Sequence, residues 1–124
     1  MKKKLEALYQ ALGSEANLRR IMAVFYARMA EDPMIGFFFS GKDLALIADK
    51  QAEFLLRAMG ARSSYTGKPP AQAHQQLPPI LPGHFDRRLV ILKATLQSEG
   101  LGPEQITAWI EFETTFRDSV VTRA

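Results

Sequence analysis

The sequence predicts an all-α fold, and three observations lead to this expectation. Apolar residues recur at helical spacing along almost all of the 124 residues. No segment shows the alternation of Val, Ile and Thr that is typical of a strand. Glycine and proline stand between the periodic segments, where helices are expected to end. The length suits one domain, so we predict a single domain over residues 1–124 with residues 1–4 disordered.

The first two predicted helices are separated by Gly13. The first covers residues 5–12, and Ser14 is the expected N-cap of the second. The second helix ends at Asp32-Pro33. Its inner stripe consists of Leu18, Ile21, Met22, Phe25, Tyr26 and Met29. Tyr26 is therefore predicted to face the core.

An aromatic corner and a third helix follow. Residues 34–39, Met-Ile-Gly-Phe-Phe-Phe, predict a compact turn that ends at Ser40-Gly41. The third helix is predicted over residues 43–59 and is ended by Gly60. Its spacing places these side chains on one face: Ile47, Lys50, Gln51, Phe54 and Leu55. Two polar side chains thus interrupt an apolar stripe.

The rest of the chain is predicted to hold a loop and three helical segments. Residues 61–70 form the loop, and a short helical piece over residues 71–76 carries His74. The proline-rich residues 77–82 exclude regular helix. One long helix then runs from Gly83 to Gly100, and the last begins near Pro103. Their predicted buried faces are Phe85, Leu89, Leu92 and Leu96, and Ile106, Trp109, Ile110, Phe116 and Val120.

The composition excludes several classes of function. The excess of 16 Lys and Arg over 13 Asp and Glu is slight, and no basic stripe alternates with aromatic residues, so we expect no nucleic-acid binding. The lack of cysteine excludes disulfides, thiolate catalysis and iron–sulfur ligation. No apolar run approaches the roughly 20 residues of a membrane span. The default expectation is a cytoplasmic protein without a membrane span.

One histidine and a few polar side chains point to a cofactor. His74 lies about one helical turn beyond Pro69-Pro70, while Tyr26 and Gln51 lie on otherwise apolar faces. A lone imidazole on one side and hydrogen-bonding groups on the other suggest a buried haem with one axial ligand. The alternatives are a surface histidine and a core tyrosine whose hydroxyl reaches solvent. His84 is interpreted as a polar residue at a helix start.

A series of short motifs carries a family resemblance. In chain order they are Phe25-Tyr26, Asp32-Pro33, Phe38-Phe39-Ser40-Gly41, Lys50-Gln51 with Phe54, Tyr65-Thr66-Gly67, Ala73-His74 and His84-Phe85. Their order and spacing resemble the truncated (two-over-two) haemoglobin family from residue 8 to about residue 121. No tryptophan begins the helix after His84, which favours the first group of that family. The resemblance implies four main helices in two antiparallel pairs that sandwich haem b, iron protoporphyrin IX.

The resemblance also implies roles for individual residues. His74 would be the proximal iron ligand, Tyr26 and Gln51 would stabilise a distal ligand, and Ile47 would form the distal gate. Lys50 would pair with a haem propionate or, less simply, ligate the iron itself. The other cofactor-binding residues would be Phe38, Phe39, Phe54, Leu55, Tyr65 and Leu77. For the apolar members the alternative is ordinary core packing.

The implied function is reversible binding of a diatomic gas: dioxygen, nitric oxide or carbon monoxide. A further implied reaction converts dioxygen and nitric oxide to nitrate. It would need a separate reductase, because the chain has no glycine-rich nucleotide motif and no room for a flavin domain.

Two alternatives stay open: a peroxidase-like haem enzyme and a cofactor-free helical interaction module. Asp49 and Glu53 are expected to face away from Ile47 and Gln51, which disfavours the peroxidase. Arg88 stands where the family is usually apolar, which argues against an apolar gas tunnel.

Overall fold

A computed structural model describes residues 1–61 and 77–122. These residues form helices and no strands, which confirms the predicted all-α fold. We number the α-helices α1 to α6 in chain order: Lys2–Leu12, Glu15–Glu31, Leu44–Ala58, Pro82–Ser98, Pro103–Thr114 and Arg117–Val120. A short 3-10 helix, Gly36–Phe39, lies between α2 and α3.

The first helix is longer than the sequence predicts. Helix α1 begins at Lys2, three residues before the predicted position. The Leu5 amide donates to the Met1 carbonyl at 3.1 Å, and Lys4 Nζ lies 3.4 Å from Glu111 Oε2 on α5. The helix buries Leu5, Leu8 and Leu12. Burial of this stripe and the cross-helix contact account for the longer helix.

Helix α2 lies at the centre of the fold and packs against both α3 and α4. Ser14 caps it as predicted, because its hydroxyl accepts the Asn17 amide at 3.1 Å. All six residues of the predicted inner stripe are buried, and Tyr26 is one of them. A polar hydroxyl is therefore held within the helix packing.

The corner after α2 depends on Asp32 and Gly36. Asp32 Oδ2 accepts the Met34 and Ile35 amides at 3.0 and 3.2 Å, which closes the turn. An added Cβ on Gly36 would lie 2.6 Å from the Ala30 carbonyl oxygen, so only glycine permits this backbone approach. The turn places the aromatic residues of the 3-10 helix beside the end of α2.

Helix α3 packs on α2 through a stripe beside the predicted face. Its buried residues are Ala48, Ala52, Leu55 and Leu56. Leu55 is therefore placed correctly, whereas Ile47, Gln51 and Phe54 are only half-buried. Small alanines allow α3 to approach α2 closely, and the predicted face becomes the margin of that interface.

The C-terminal helices follow the prediction at their start and differ from it at the end. Pro82 is the first residue of α4, and His84 Nδ1 accepts the Leu81 amide at 3.0 Å, consistent with a polar residue at a helix start. The last helix was expected to continue to Val120, but α5 ends at Thr114. The Thr114 and Thr115 hydroxyls donate to carbonyls of α5 at 2.7 and 2.6 Å, in competition with the backbone.

Candidate functional site

A largely buried ion pair joins α4 to α5. Arg88 Nη1 lies 2.6 Å from Glu113 Oε2. Only 19% of the Arg88 side chain and 7% of the Glu113 side chain are exposed. Helices α4 and α5 pack against each other, so each presents one charged residue inside an otherwise apolar interface. A pair this sheltered from water needs further hydrogen bonds to offset its desolvation.

The other carboxylate oxygen of Glu113 supplies two of these bonds. Trp109 Nε1, one turn earlier on α5, donates to Glu113 Oε1 at 3.3 Å, and Trp109 is fully buried. Gln51 Nε2 on α3 donates to the same oxygen at 3.5 Å, a long and weak bond. Glu113 thus accepts donors from α3, α4 and α5.

Tyr26 brings α2 to the same place. The charge of the Arg88 guanidinium acts on Tyr26, where it opposes the effect of burial on the pKa of the phenol. The Arg88 guanidinium also lies 5.1 Å from the centre of the Phe25 ring, within cation–π range. We call Tyr26, Gln51, Arg88, Trp109 and Glu113 the polar cluster.

The protonation states in the polar cluster follow from burial and from the charges nearby. Burial raises the pKa of the Tyr26 phenol, and the Arg88 cation only partly opposes this shift. Burial acts against the charge of Arg88, but attraction to Glu113 and Tyr26 leaves its pKa above the ordinary value. At neutral pH the cluster therefore holds a charged guanidinium and a neutral phenol that can still donate its hydrogen.

Several apolar side chains are only partly buried at the margin of the core, and one of them packs against Tyr26. Phe39 packs edge-on against Tyr26, with ring centres 5.8 Å apart, and Phe54 packs edge-on against Phe116 at 5.4 Å. Phe39, Phe54, Ile47 and Leu77 are all only partly buried against the core. Partly exposed apolar surface beside two hydrogen-bond donors fits a flat apolar group with a polar centre, such as haem.

Other predicted site residues are placed differently. Leu55 is fully buried within the core. Phe38 is buried in the corner, where it stacks on Phe37 at 4.1 Å and meets His84 edge-on at 5.1 Å. Both side chains are therefore part of the buried core in this structure. His74 and Tyr65 lie outside the described residues.

Charged residues of α3 separate into two environments. Asp49 is exposed and pairs with Arg19, as its predicted outward orientation requires. The side chain of Glu53 is 12% exposed, and its Oε2 lies 3.9 Å from Lys50 Nζ. Lys50 is half-exposed at the edge of the apolar surface.

Sequence reasoning missed Glu113 and Trp109 as site residues and treated Arg88 only as a departure. The sequences of α4 and α5 both contain a pattern that could have indicated these residues. Glu113 stands one turn after Trp109 in a buried stripe, and Arg88 stands one turn after buried Phe85. An acid on one buried face and a base on another predict a partnership between the two helices.

Within the residues that the structure describes, no group of three or more His, Cys, Asp or Glu side chains could hold a metal ion. Nor does any helix in residues 1–61 and 77–122 combine the length and apolarity needed to cross a bilayer.

Comparisons with known proteins agree with this fold. The family model for bacterial-like globin matches residues 7–122. A group 1 truncated haemoglobin from Synechocystis is 32% identical over 107 residues, which covers 84% of this chain and 86% of that protein. The truncated haemoglobin structure from Tetrahymena pyriformis superposes with a TM-score of 0.85 at 25% identity, covering 94% of this chain and 98% of that one.

A third relative is longer than the matched region. The group 1 truncated haemoglobin of Chlamydomonas moewusii is 32% identical over 101 residues, 81% of this chain. The match spans only 59% of the algal protein. The similarity therefore covers most of this chain but only part of the algal protein.

Proposed function

This chain belongs to the bacterial-like globin family, and we propose on that basis that it binds haem b and holds a diatomic gas beside Tyr26 and Gln51. The fold is that of the two-over-two haemoglobins. Haem would supply an iron atom at which a gas such as dioxygen binds reversibly and gains negative charge. The observation that carries the proposal is that Tyr26 on α2 is buried and packs edge-on against partly exposed Phe39, while Gln51 on α3 donates to buried Glu113.

Tyr26 would stabilise the gas by donating its phenolic hydrogen. The phenol stays neutral at neutral pH because burial raises its pKa, so the hydrogen remains available. Gln51 would contribute an amide hydrogen from α3, and Ile47, one turn earlier, would limit the entry of water. His74, the proximal ligand that the family resemblance implies, would bind the iron from the opposite side.

The half-buried apolar residues would hold the porphyrin. Phe39, Phe54 and Leu77 offer partly exposed apolar surface, and Phe38 and Leu55 are proposed to complete the apolar lining from the core. Lys50 is half-exposed, so its ammonium could neutralise a propionate at the rim. Tyr65 is proposed as a second propionate contact.

Nitric-oxide dioxygenation is the finer version of this function. Dioxygen held beside Tyr26 would react with nitric oxide to give nitrate, and a separate reductase, expected in the cytoplasm, would return the iron to its ferrous state. The peroxidase alternative is less well supported. Glu113, the carboxylate to which Gln51 donates, is held by Arg88 and Trp109 rather than free to move protons.

The haem proposal is tested by a matched pair of histidine substitutions. We expect the purified protein to show a Soret band, and His74→Ala to lose most of the pigment. His84→Ala removes a side chain that caps α4 and should keep the pigment while lowering thermal stability. Equal pigment in the wild type and in His74→Ala would refute the axial role. The absence of a Soret band after reconstitution with haemin would favour the cofactor-free module.

A further inference from the structure

Gln51 donates to a carboxylate that is buried inside the helix packing. Its Nε2 lies 3.5 Å from Glu113 Oε1, and only 7% of the Glu113 side chain is exposed. The contact joins α3 to α5. Gln51 is itself half-buried and is one of the two proposed gas-stabilising side chains. A fixed partner for its amide therefore bears on how the gas is held.

We propose that Glu113, held in place by Arg88 and Trp109, is a positioning residue for the Gln51 amide. It keeps the nitrogen end of that amide on the side of the polar cluster, where the second N–H can donate to the bound gas. The inference rests on the proposed gas-binding function and adds to it a residue that orients one of the two donors. Glu113 acts through Gln51 and is not placed against the gas itself.

A glutamine amide has two ends of opposite character, and a carboxylate attracts only one of them. Glu113 pairs with Arg88 at 2.6 Å, so it is a charged acceptor without a hydrogen to donate. It repels the Gln51 carbonyl oxygen and attracts the hydrogens on Nε2. The terminal torsion of glutamine is broad and roughly two-fold, so the side chain alone does not favour either orientation. The carboxylate therefore selects the nitrogen end.

The length of the contact leaves the amide available to a second acceptor. At 3.5 Å, the hydrogen bond between Gln51 Nε2 and Glu113 Oε1 is long and weak. The amide nitrogen carries two hydrogens, and one of them is directed at the carboxylate. The other can donate to a gas that gains negative charge on the iron. Glu113 thus orients the amide without withdrawing it from the site.

Glu113 is fixed by two partners other than Gln51. Arg88 Nη1 holds Oε2 at 2.6 Å, and the buried indole of Trp109 donates to Oε1 at 3.3 Å. Arg88 also balances the charge of the carboxylate, so the pair adds little net negative charge near a negatively charged gas. An anchored acceptor with balanced charge suits an orienting role.

Fold stability alone does not account for the ion pair. A buried ion pair is often no more stabilising than two well-packed apolar residues of similar volume. Helices α4 and α5 already bury apolar side chains such as Leu92, Leu96 and Ile106. A charged pair between these helices therefore calls for a role beyond packing, and the contact with Gln51 supplies one.

The test measures dioxygen dissociation from the haem-bound protein in a double-mutant cycle. Gln51→Leu removes the donor and should speed dissociation about 10-fold. Glu113→Gln keeps the size of the side chain and an oxygen for Arg88, but it no longer selects one end of the Gln51 amide. We therefore expect about threefold faster dissociation in Glu113→Gln. In the Gln51→Leu background, Glu113→Gln should have no further effect, because Glu113 acts through Gln51.

The C–O stretching band of added carbon monoxide gives a readout that does not depend on the dissociation rate. A hydrogen bond to the carbon monoxide oxygen lowers the wavenumber of this band. Gln51→Leu should therefore give one band at higher wavenumber than the wild type. Glu113→Gln should give two bands, one for each orientation of the Gln51 amide.

Glu111→Gln is the matched control. Glu111 lies on the same helix and pairs with Lys4 at 3.4 Å, and 45% of its side chain is exposed. This variant should leave dioxygen dissociation and the C–O band unchanged. If Glu113→Gln folds poorly, Arg88→Met combined with Glu113→Leu removes both charges without leaving one unpaired. That double variant should show about the same threefold acceleration.

Two outcomes would overturn the positioning role while leaving gas binding intact. Unchanged dissociation and one unshifted C–O band in folded Glu113→Gln would show that the orientation of Gln51 does not depend on Glu113. An acceleration by Glu113→Gln that persists in the Gln51→Leu background would show that Glu113 acts on the gas through its charge rather than through the amide.

Failure of the gas-binding proposal gives a different result, because the reconstituted protein then lacks a Soret band and the positioning role is wrong together with it. The contact itself is tested in the haem-free protein by urea unfolding, followed by the fluorescence of Trp109, the only tryptophan in the chain. Gln51→Leu and Glu113→Gln together should lower the unfolding free energy by less than the sum of their separate effects. Additive effects would show that the two side chains do not interact.

Discussion

Arg87 and Arg88 are neighbours on α4 and form ion pairs in two very different regions. Arg87 Nη2 lies 2.7 Å from Asp32 Oδ1 at the corner after α2, where 41% of the Arg87 side chain but only 5% of the Asp32 side chain is exposed. Arg88 pairs with Glu113 inside the helix packing. Successive helical residues point about 100° apart, which is enough to separate a peripheral contact from an internal one. The residue types in an ion pair and the distance between them therefore do not by themselves indicate its role.

The ion pair of Arg87 and Asp32 stabilises the turn after α2. Asp32 receives two hydrogen bonds from Arg87 on Oδ1 and two backbone amides on Oδ2. Its carboxylate would keep the backbone bonds without Arg87, so the arginine reinforces an arrangement that the turn already has. In the polar cluster, by contrast, each partner of the ion pair depends on the other for its charge balance. We therefore expect the two regions to respond differently to the loss of one partner.

The largest effect is expected from Glu113→Ala. This substitution leaves Arg88 charged and largely buried, and it removes the acceptor of the Trp109 indole. Breaking a buried pair from one side should lower the free energy of unfolding by about 3 kcal/mol, measured by urea denaturation. Arg88→Met combined with Glu113→Leu is the control and should recover most of the loss. A loss below about 1 kcal/mol in Glu113→Ala would mean that water reaches Arg88 readily.

The outline of the fold was accessible from the sequence because its determinants are local. Apolar periodicity predicted the inner stripe of α2, and Ser14 and Gly60 marked helix ends. The break after Thr114 was not predicted, because the apolar pattern continues through Phe116 and Val120 while threonine hydroxyls compete for the carbonyls. Local hydrogen bonding outweighed periodicity there.

The sequence predicts polar residues on single helices, but it does not predict which residues of different helices meet. Tyr26 and Gln51 were predicted as site residues because each interrupts an apolar face on its own helix. The sequence alone does not show which helix faces Arg88, and only the packing of α4 on α5 brings Glu113 to it. The role of a buried charge depends on its partner, and Glu113 is 25 residues from Arg88 in the chain.

An intermediate effect is expected at the corner from Gly36→Ala. The added Cβ would lie 2.6 Å from the Ala30 carbonyl oxygen, which is backbone and cannot rotate away. We expect a loss of about 2 kcal/mol in unfolding free energy, typical of overpacking. The control is Gly83→Ala in the first turn of α4, where the new Cβ meets only the flexible end of Met34 at 3.5 Å. Equal stability of the two variants would show that the corner backbone adjusts freely.

The smallest effect is expected from Arg87→Met, and it should depend on pH. The Arg87 guanidinium, with smaller help from the turn amides, holds the pKa of Asp32 below its ordinary value. A lowered folded-state pKa stabilises the protein above the unfolded-state value of about 3.9, and this stabilisation is lost as pH falls through the folded-state pKa. Wild type should therefore be more stable than Arg87→Met at pH 7, and the difference should shrink below about pH 4.

Urea unfolding at pH 7, 5 and 3 measures this difference directly. Lys93→Met is the matched control, because Lys93 is an exposed cation on the same helix. At pH 7 the unfolding free energy of Lys93→Met should differ from that of wild type by less than that of Arg87→Met does. A difference between wild type and Arg87→Met that stays constant from pH 7 to pH 3 would show that Arg87 stabilises the corner through packing of its aliphatic chain rather than through the Asp32 carboxylate.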